Sequence, residues 1–227
     1  VVVTAGTTFG SVTAAVTDDA LDEDDETIVV TMATGSLVNA TAGAVTEHTI
    51  TLTDNDAAPT VAFSAGAQTR AESIGAVTVT VYLSGVSALD VTVPYTTSGD
   101  ATGSGIDHDL ADGSLTIAAG LDSGAISVAV TADTMDEPDE TVVVSMTTGS
   151  LTNATAGILT THTVTITDDD DPPLVSFATS AQSVAEGDGS ASIAVDLSAV
   201  SGFDITAPYT FSGTATGSGT DHDLVDG

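Results

Sequence analysis

The 227-residue chain carries 33 acidic side chains against a single arginine, Arg70, and no lysine, a formal charge of −32 at neutral pH. That charge makes nucleic acid and anionic membrane surfaces poor partners, and the lack of cysteine and lysine excludes disulfides, thiolate metal sites and lysine-to-asparagine crosslinks. With 41% hydrophobic residues the chain is no disordered polyanion, so cations from solution are the expected source of neutralising charge.

Self-comparison gives a repeat of 114 residues without gaps. Val61-Ala-Phe63 returns as Val175-Ser-Phe177, Thr53-Asp-Asn-Asp56 as Thr167-Asp-Asp-Asp170, and Asp107-His-Asp-Leu-Ala-Asp-Gly113 as Asp221-His-Asp-Leu-Val-Asp-Gly227. Residues 1–56 read as the C-terminal half of one repeat, strands D to G, starting inside strand D. A complete repeat follows over 59–170, and residues 173–227 read as the N-terminal half of a further repeat, strands A to C. In the complete repeat, period-2 alternation predicts A at Val61/Phe63, B at Val77 to Leu83, C at Val91 to Tyr95 and D at Leu115/Ile117. It then predicts E at Ile126 to Val130, F at Val142 to Met146 and G at Val164/Ile166, with Gly, Ser, Asp and Asn in the connections. Seven short strands in about 110 residues predict an all-β, immunoglobulin-like β-sandwich in tandem. Neither half can bury both its faces alone, so the chain is expected to continue at both ends, and any targeting segment to lie outside this stretch; completion of one half by another molecule is the alternative. No apolar run approaches the roughly 18 residues of a membrane span, so no membrane insertion is expected in this segment.

Alternating strand direction places the A–B, C–D and E–F connections and the end of G at one pole, and the acids sit there. Glu72 lies between A and B, Asp107 and Asp109 between C and D, Asp133, Asp136, Glu137, Asp139 and Glu140 between E and F, and 168–171 after G. The opposite pole, around 85–89, 118–122 and Asn153, is nearly uncharged. Two unit charges 4 Å apart at an effective dielectric of 20 repel by about 4 kcal/mol, so such a gathering needs positive charge. An all-oxygen, multi-carboxylate cage suits Ca²⁺ better than Zn²⁺. A solvated acidic face and a paired-carboxylate hydrolase are the competing readings; the second lacks aromatic and basic substrate contacts, with aromatics at 4%. The chain is therefore read as a non-enzyme.

Four elements resemble the Calx-beta domain, known from sodium/calcium exchangers and from large surface and adhesion proteins. They are Val184-Ala-Glu186-Gly-Asp-Gly, weakened to Arg70-Ala-Glu72-Ser-Ile-Gly in the complete repeat; Gly105-Ile-Asp107-His; Asp133-x-x-x-Glu137-Pro-Asp-Glu140; and Thr165-Ile-Thr-Asp168-Asp-Asp170. The resemblance implies that Glu72, Asp107, Asp133, Glu137, Glu140, Asp168, Asp169 and Asp170 ligate calcium. It implies the same of Asp18, Asp19, Glu23, Glu26, Asp54 and Asp56 in residues 1–56, and of Glu186 and Asp221 in residues 173–227. Ala132 stands at the position of Asp18, and Asn55 replaces the middle aspartate of the triplet, so charge count and affinity are expected to differ between repeats.

Other motifs add less. Asp107-x-Asp109-x-x-Asp112-Gly113 fails as an EF-hand loop, because its third acid is one residue late and Ala118 holds position 12. His108 and His222 replace the family's tyrosine and are expected to pack rather than bind metal, and Arg70 is expected to offset Glu72. Asn39-Ala-Thr41 and Asn153-Ala-Thr155 fit the N-glycosylation pattern but read first as a turn repeated with the unit. The expected role is a calcium-stiffened repeat of an extracellular surface fibre, filament or large adhesin, its partners being calcium ions and neighbouring repeats or further copies of itself. A calcium sensor regulating an attached protein and a ligand-binding adhesin module are the alternatives.

Overall fold

The structure, a computed structural model, describes every residue except 218. Residues 1–56 contribute one hairpin, β1 (Glu26–Thr31) paired antiparallel with β2 (Glu47–Leu52). The next stretch runs through β3 (Thr60–Phe63), β4 (Ala67–Ala71), β5 (Ala76–Leu83), β6 (Val91–Gly99), β7 (Gly113–Ile117), β8 (Ser123–Ala129), β9 (Glu140–Met146), the two-residue β10 (Thr155–Ala156) and β11 (Thr161–Thr167). Two short strands follow, β12 (Val175–Phe177) and β13 (Val195–Leu197), paired antiparallel.

Strands β3 to β11 form an immunoglobulin-like sandwich of two sheets, ordered β10-β3-β5-β8 and β4-β11-β9-β6-β7. Alternation produces it directly. In β5, Val77, Val79, Val81 and Leu83 are buried while Ala76, Thr78 and Tyr82 face out, and β9 buries Val142, Val144 and Met146. These inner faces meet Val91, Val93, Ile117, Val128, Val164 and Ile166 in one cluster, an aliphatic core built from β-branched residues that suit a pleated surface.

The expected strand A is two strands. β3 pairs with β5, and after Ser64–Gly66 the chain changes sheet so that β4 runs parallel to β11. The segment Ala-Gln-Thr-Arg-Ala has no apolar alternation because it lies at a sheet edge and buries no side chain fully. This crossing carries the chain to the 3₁₀ turn Glu72–Ile74, and so delivers Glu72 to the acidic pole.

Outside the sandwich, a segment forms a strand only where its partner is present. The counterparts of β7 and β8 in residues 1–25 carry Val1, Val3, Phe9 and Val12, all exposed, and form no strand. In the sandwich β7 pairs only with β6 and β8 only with β5, strands for which residues 1–56 contain no counterpart. Residues 205–213, the counterpart of β6, are likewise not a strand. Yet Tyr209 and Gly227 already exchange both backbone hydrogen bonds, at 2.9 and 3.2 Å, in the register that Tyr95 and Gly113 hold in the sandwich.

One close approach positions the C–D connection. Gly99 ends β6 at φ +126°, and a Cβ there would lie 2.1 Å from the carbonyl oxygen of Thr141 at the start of β9. The next residue, Asp100, accepts the Thr141 N–H at 2.6 Å and also its hydroxyl, which hold its carboxyl below the usual range. The loop bearing Asp107 is thus pinned to the strand bearing Glu140. Gly99→Ala is expected to destabilise the sandwich by more than about 1 kcal/mol, since both the backbone conformation and the space reject a side chain; urea unfolding of calcium-free protein measures it.

Candidate metal centre

The four acidic loops converge as the strand order requires. Glu72 stands on the turn after β4, Asp107 in the β6–β7 connection, Asp133 and Glu137 between β8 and β9, Glu140 at the first position of β9, and Asp168 to Asp170 just beyond β11. Two groups form. Glu72, Asp133 and Asp170 each bring a carboxylate oxygen within 4.8 Å of the others, and so do Asp107, Glu137 and Glu140. Asp168 joins Glu72, Asp107, Glu137 and Glu140 around a cavity of about 10 Å³, roughly one water-sized sphere.

The electrostatics are those of crowded anions. Burial pushes Glu72 up to about 7; the Asp133 N–H, donated to its Oε1 at 3.2 Å, opposes this, while Asp170 and Asp133 add to it. Glu140 is also pushed up to about 7, by burial and then by Asp107, with which it shares a hydrogen bond, and by Glu137 and Asp100. Burial raises Glu137 too, with Asp133, Asp107, Asp168 and Asp170 adding their repulsion. Two carboxylate oxygens, Asp168 Oδ1 and Asp170 Oδ2, are buried with no hydrogen-bond partner. An unpaired buried anionic oxygen is costly, so these atoms point to a cation. The donors are all carboxylate oxygens, drawn from four loops, and they fit calcium.

Some expected ligands do other work. The middle aspartate of the triplet, Asp169, is exposed and accepts the Ser73 hydroxyl at 2.5 Å; it belongs to neither group. The loss expected from Asn55 at the equivalent position therefore removes no converging carboxylate. Asn55 instead donates its amide to Asp18 Oδ1 at 3.2 Å, the carboxylate that has no counterpart at Ala132. Asp18, Asp19, Glu23, Glu26, Asp54 and Asp56 line one open cleft of about 500 Å³. It is wide because residues 1–56 hold no counterparts of Glu72 and Asp107. Charge still accumulates there: Glu23 is raised by desolvation and then by Glu26, Asp19, Asp54 and Asp56, and Asp56 by desolvation and then by Asp54, Asp18, Asp19 and Asp22. Among the described residues, Glu186 and Asp221 join no such group. Glu186 is exposed on a 3₁₀ turn, and Asp221 Oδ2 accepts the Thr216 N–H at 2.7 Å, as Asp107 does that of Thr102.

Sequence reasoning missed the residues that orient the ligands. Asp139 Oδ1 accepts the Asp168 N–H at 3.3 Å, a contact repeated by Asp25 and Asp54 at 3.0 Å, and Ser73 anchors Asp169. The 114-residue spacing of Asp25 and Asp139 was the available signal. His108 packs as expected: it is buried, its Nδ1 accepts the Leu110 N–H at 3.1 Å, and His222 repeats the contact with Leu224 at 3.2 Å. Arg70 donates to the Thr69 carbonyl at 2.7 Å. Asn153, at φ +56°, gives its amide to the Asp90 carbonyl at 2.9 Å, which is the turn reading.

The family description "Calx-beta domain" matches residues 1–56, 54–170 and 168–227, tiling the whole chain. The chain belongs to the Calx-beta domain family. Calcium is the ion of Calx-beta domains, in keeping with the acidic groups above. Among solved structures the chain is similar to CBD12 from CALX1.2, at 26% identity over 56% of this chain and 51% of that one, with a TM-score of 0.45. It is also similar to the apo-form Calx CBD1 domain, at 25% identity over 49% of this chain and 98% of that one, TM-score 0.45. The Calx CBD2 domain aligns at 20% identity over 48% of this chain and 86% of that one, TM-score 0.42. The chain spans about half the length of the CBD12 structure it matches. Among curated proteins, none matches the chain.

The raised carboxyls set a pH dependence in this Calx-beta chain. Glu72 and Glu140 titrate near 4.5 when unfolded and near 7 when folded. Between those values the folded state holds more protons, so the stability these two groups contribute is fully present below about 4.5 and is lost as the pH rises through 7. Calcium-free protein is expected to melt at progressively lower temperature from pH 5 to 7.5. Glu72→Gln with Glu140→Gln should flatten that slope, and saturating calcium should abolish it, because ion-loaded carboxylates hold no protons. Equal slopes in all three samples would remove Glu72 and Glu140 as its source.

Proposed function

We propose that this chain is a calcium-stiffened structural repeat of an extracellular surface fibre, filament or large adhesin. The observation that carries the reading is the pair of buried, unpartnered carboxylate oxygens on Asp168 and Asp170, which immediately precede the linker Asp171-Pro-Pro-Leu174. One ion is held by Glu72, Asp133 and Asp170 and another by Asp107, Glu137 and Glu140, with Asp168 between them. Each ion ties the end of β11 to loops at the same pole, so the last ordered residues of one domain are fixed where the next begins, and the two prolines restrict the remaining freedom. Asp19, Glu23, Glu26, Asp54 and Asp56 repeat the arrangement one period earlier.

In this reading the chain stays loose where calcium is scarce and stiffens after export into a calcium-rich medium. The Thr-, Ser-, Val-, Ala- and Asp-rich composition and the gap-free 114-residue repetition support a spacer role, for which similar units suffice. The carboxylates hold ions and take no part in catalysis.

Thermal melts with calcium and with chelator test the reading. An ion at a hundred times its Kd stabilises by about 2.7 kcal/mol, which for a domain of this size raises the melting temperature by roughly 10 °C. Asp170→Asn is expected to remove most of that shift while leaving the calcium-free melt no less stable, since it relieves repulsion on Glu72. Identical melts in calcium and in chelator would sink the calcium role.

A further inference from the structure

The acidic loop between E and F does more than gather carboxylates; Asp136, which belongs to neither ion group, and its counterpart Asp22 reach across to the next unit. Ser87, in the β5–β6 loop of the sandwich, is only 1% exposed. Its hydroxyl lies 2.9 Å from Asp22 Oδ2 and 3.2 Å from the Asp22 carbonyl oxygen, and accepts the Leu89 N–H at 3.0 Å. The Asp22 carbonyl also accepts the Ala88 N–H at 2.9 Å, closing a parallel bridge between residues 22 and 87. On the other side, the Ser87 carbonyl accepts the Gly120 N–H at 2.8 Å, which joins the contact to the β7–β8 turn.

One period later the same atoms meet again. The Ser201 hydroxyl lies 3.2 Å from Asp136 Oδ2 and 3.3 Å from the Asp136 carbonyl, Gly202 N–H donates to that carbonyl at 2.8 Å, and Phe203 N–H donates to Ser201 Oγ at 3.1 Å. Here the partner residues 173–227 form far less sheet than the sandwich does, yet the same bonds form around a half-buried Ser201, so they do not depend on a finished fold behind them. Gly202 packs so closely that a Cβ on it would sit 2.8 Å from the Glu137 Cβ.

We infer that Asp22 with Ser87, and Asp136 with Ser201, form a repeated clasp that sets the orientation of each unit on the one before it. The partner surface is the nearly uncharged pole of the following unit, which presents a serine hydroxyl and one backbone N–H to the aspartate, while a second N–H holds the serine oxygen. A carboxylate bonded through both its side chain and its own carbonyl is fixed in direction, whereas a flexible linker alone would leave the angle free. The clasp is made by protein atoms and stands apart from the ions. Its control by calcium rests on the function proposed above: Asp136 lies between Asp133 and Glu137, and the Asp133 carboxylate accepts the Met135 N–H at 2.6 Å, so the two ions, one at each end of this five-residue loop, also fix the clasp between them.

The chain has no cysteine, so Thr49→Cys with Thr96→Cys places two spin labels cleanly on exposed strand positions on either side of the first clasp. Electron–electron double resonance on the full 227-residue chain in calcium is expected to give a narrow distance distribution. Ser87→Ala, and independently Asp22→Ala, should broaden it at least twofold while the sandwich melt keeps its calcium shift. A distribution equally narrow in both variants, or already broad in the parent, overturns the clasp. If calcium shifts neither the melt nor the distribution of the parent, the calcium reading fails, and the comparison of Ser87→Ala with the parent still decides the clasp.

Discussion

A carboxylate taken out of water must find a proton, a hydrogen-bond donor or a cation, and this chain offers almost no cation of its own. Thirty-three acids face one arginine, and that arginine is spent on a neighbouring carbonyl. The acids at the pole of the sandwich divide according to how they meet the requirement. Asp100, Asp139 and Asp169 accept N–H or O–H groups and hold loops in place. Glu72 and Glu140 hold protons up to about pH 7. Asp168 and Asp170 keep a buried oxygen with no partner, and this third class needs an ion. The same residue type therefore builds the scaffold, the pH response and the metal site, and burial and local donors decide which.

The fold makes that division possible because a sandwich sends every second connection to one end. The sheet change between β3 and β4 is the least regular step in the chain. It alone brings Glu72 beside the end of β11, since a strand A confined to one sheet would leave the A–B turn at the edge of the other. Parallel pairing of β4 with β11 then fixes Glu72 and the aspartate triplet at the same level: Ala71 is opposite Thr167, so Glu72 and Asp168 are the next residues on each strand.

The strands of the sandwich were legible in the sequence because each central one buries a face and so alternates, as Val77-Thr-Val-Thr-Val81 does. β4 was not legible, because an edge segment of Ala, Gln, Thr and Arg carries no such signal. The counterpart of β6 at 205–213 keeps nearly the same pattern and still forms no strand, since alternation reports a buried face and cannot report whether a hydrogen-bonding partner is present. At the site, the loops that supply the acids could be read from spacing and strand direction. Which carboxylate turns inward could not. Asp168, Asp169 and Asp170 are identical in type and adjacent, and the choice is made by Ser73, a residue 96 positions away. The clasp was hidden for the same reason: Asp136 looks like one more acid in an acidic loop until its partner Ser201 is seen.

Comparison of the two versions of the triplet shows two coupled changes between the repeats. Where the sandwich has Ala132 and Asp169, residues 1–56 have Asp18 and Asn55, and the two acids never occur together. Asn55 donates to Asp18; an aspartate there would face it as a second anion, at a cost of several kcal/mol if both were charged in a site of low effective dielectric. The substitution that looked like a weakened ligand is the condition for tolerating an added one. Each version carries one anion at this pair of positions, but not in the same role: in the sandwich it is Asp169, held by Ser73 outside both ion groups, and in residues 1–56 it is Asp18, which lines the acidic cleft.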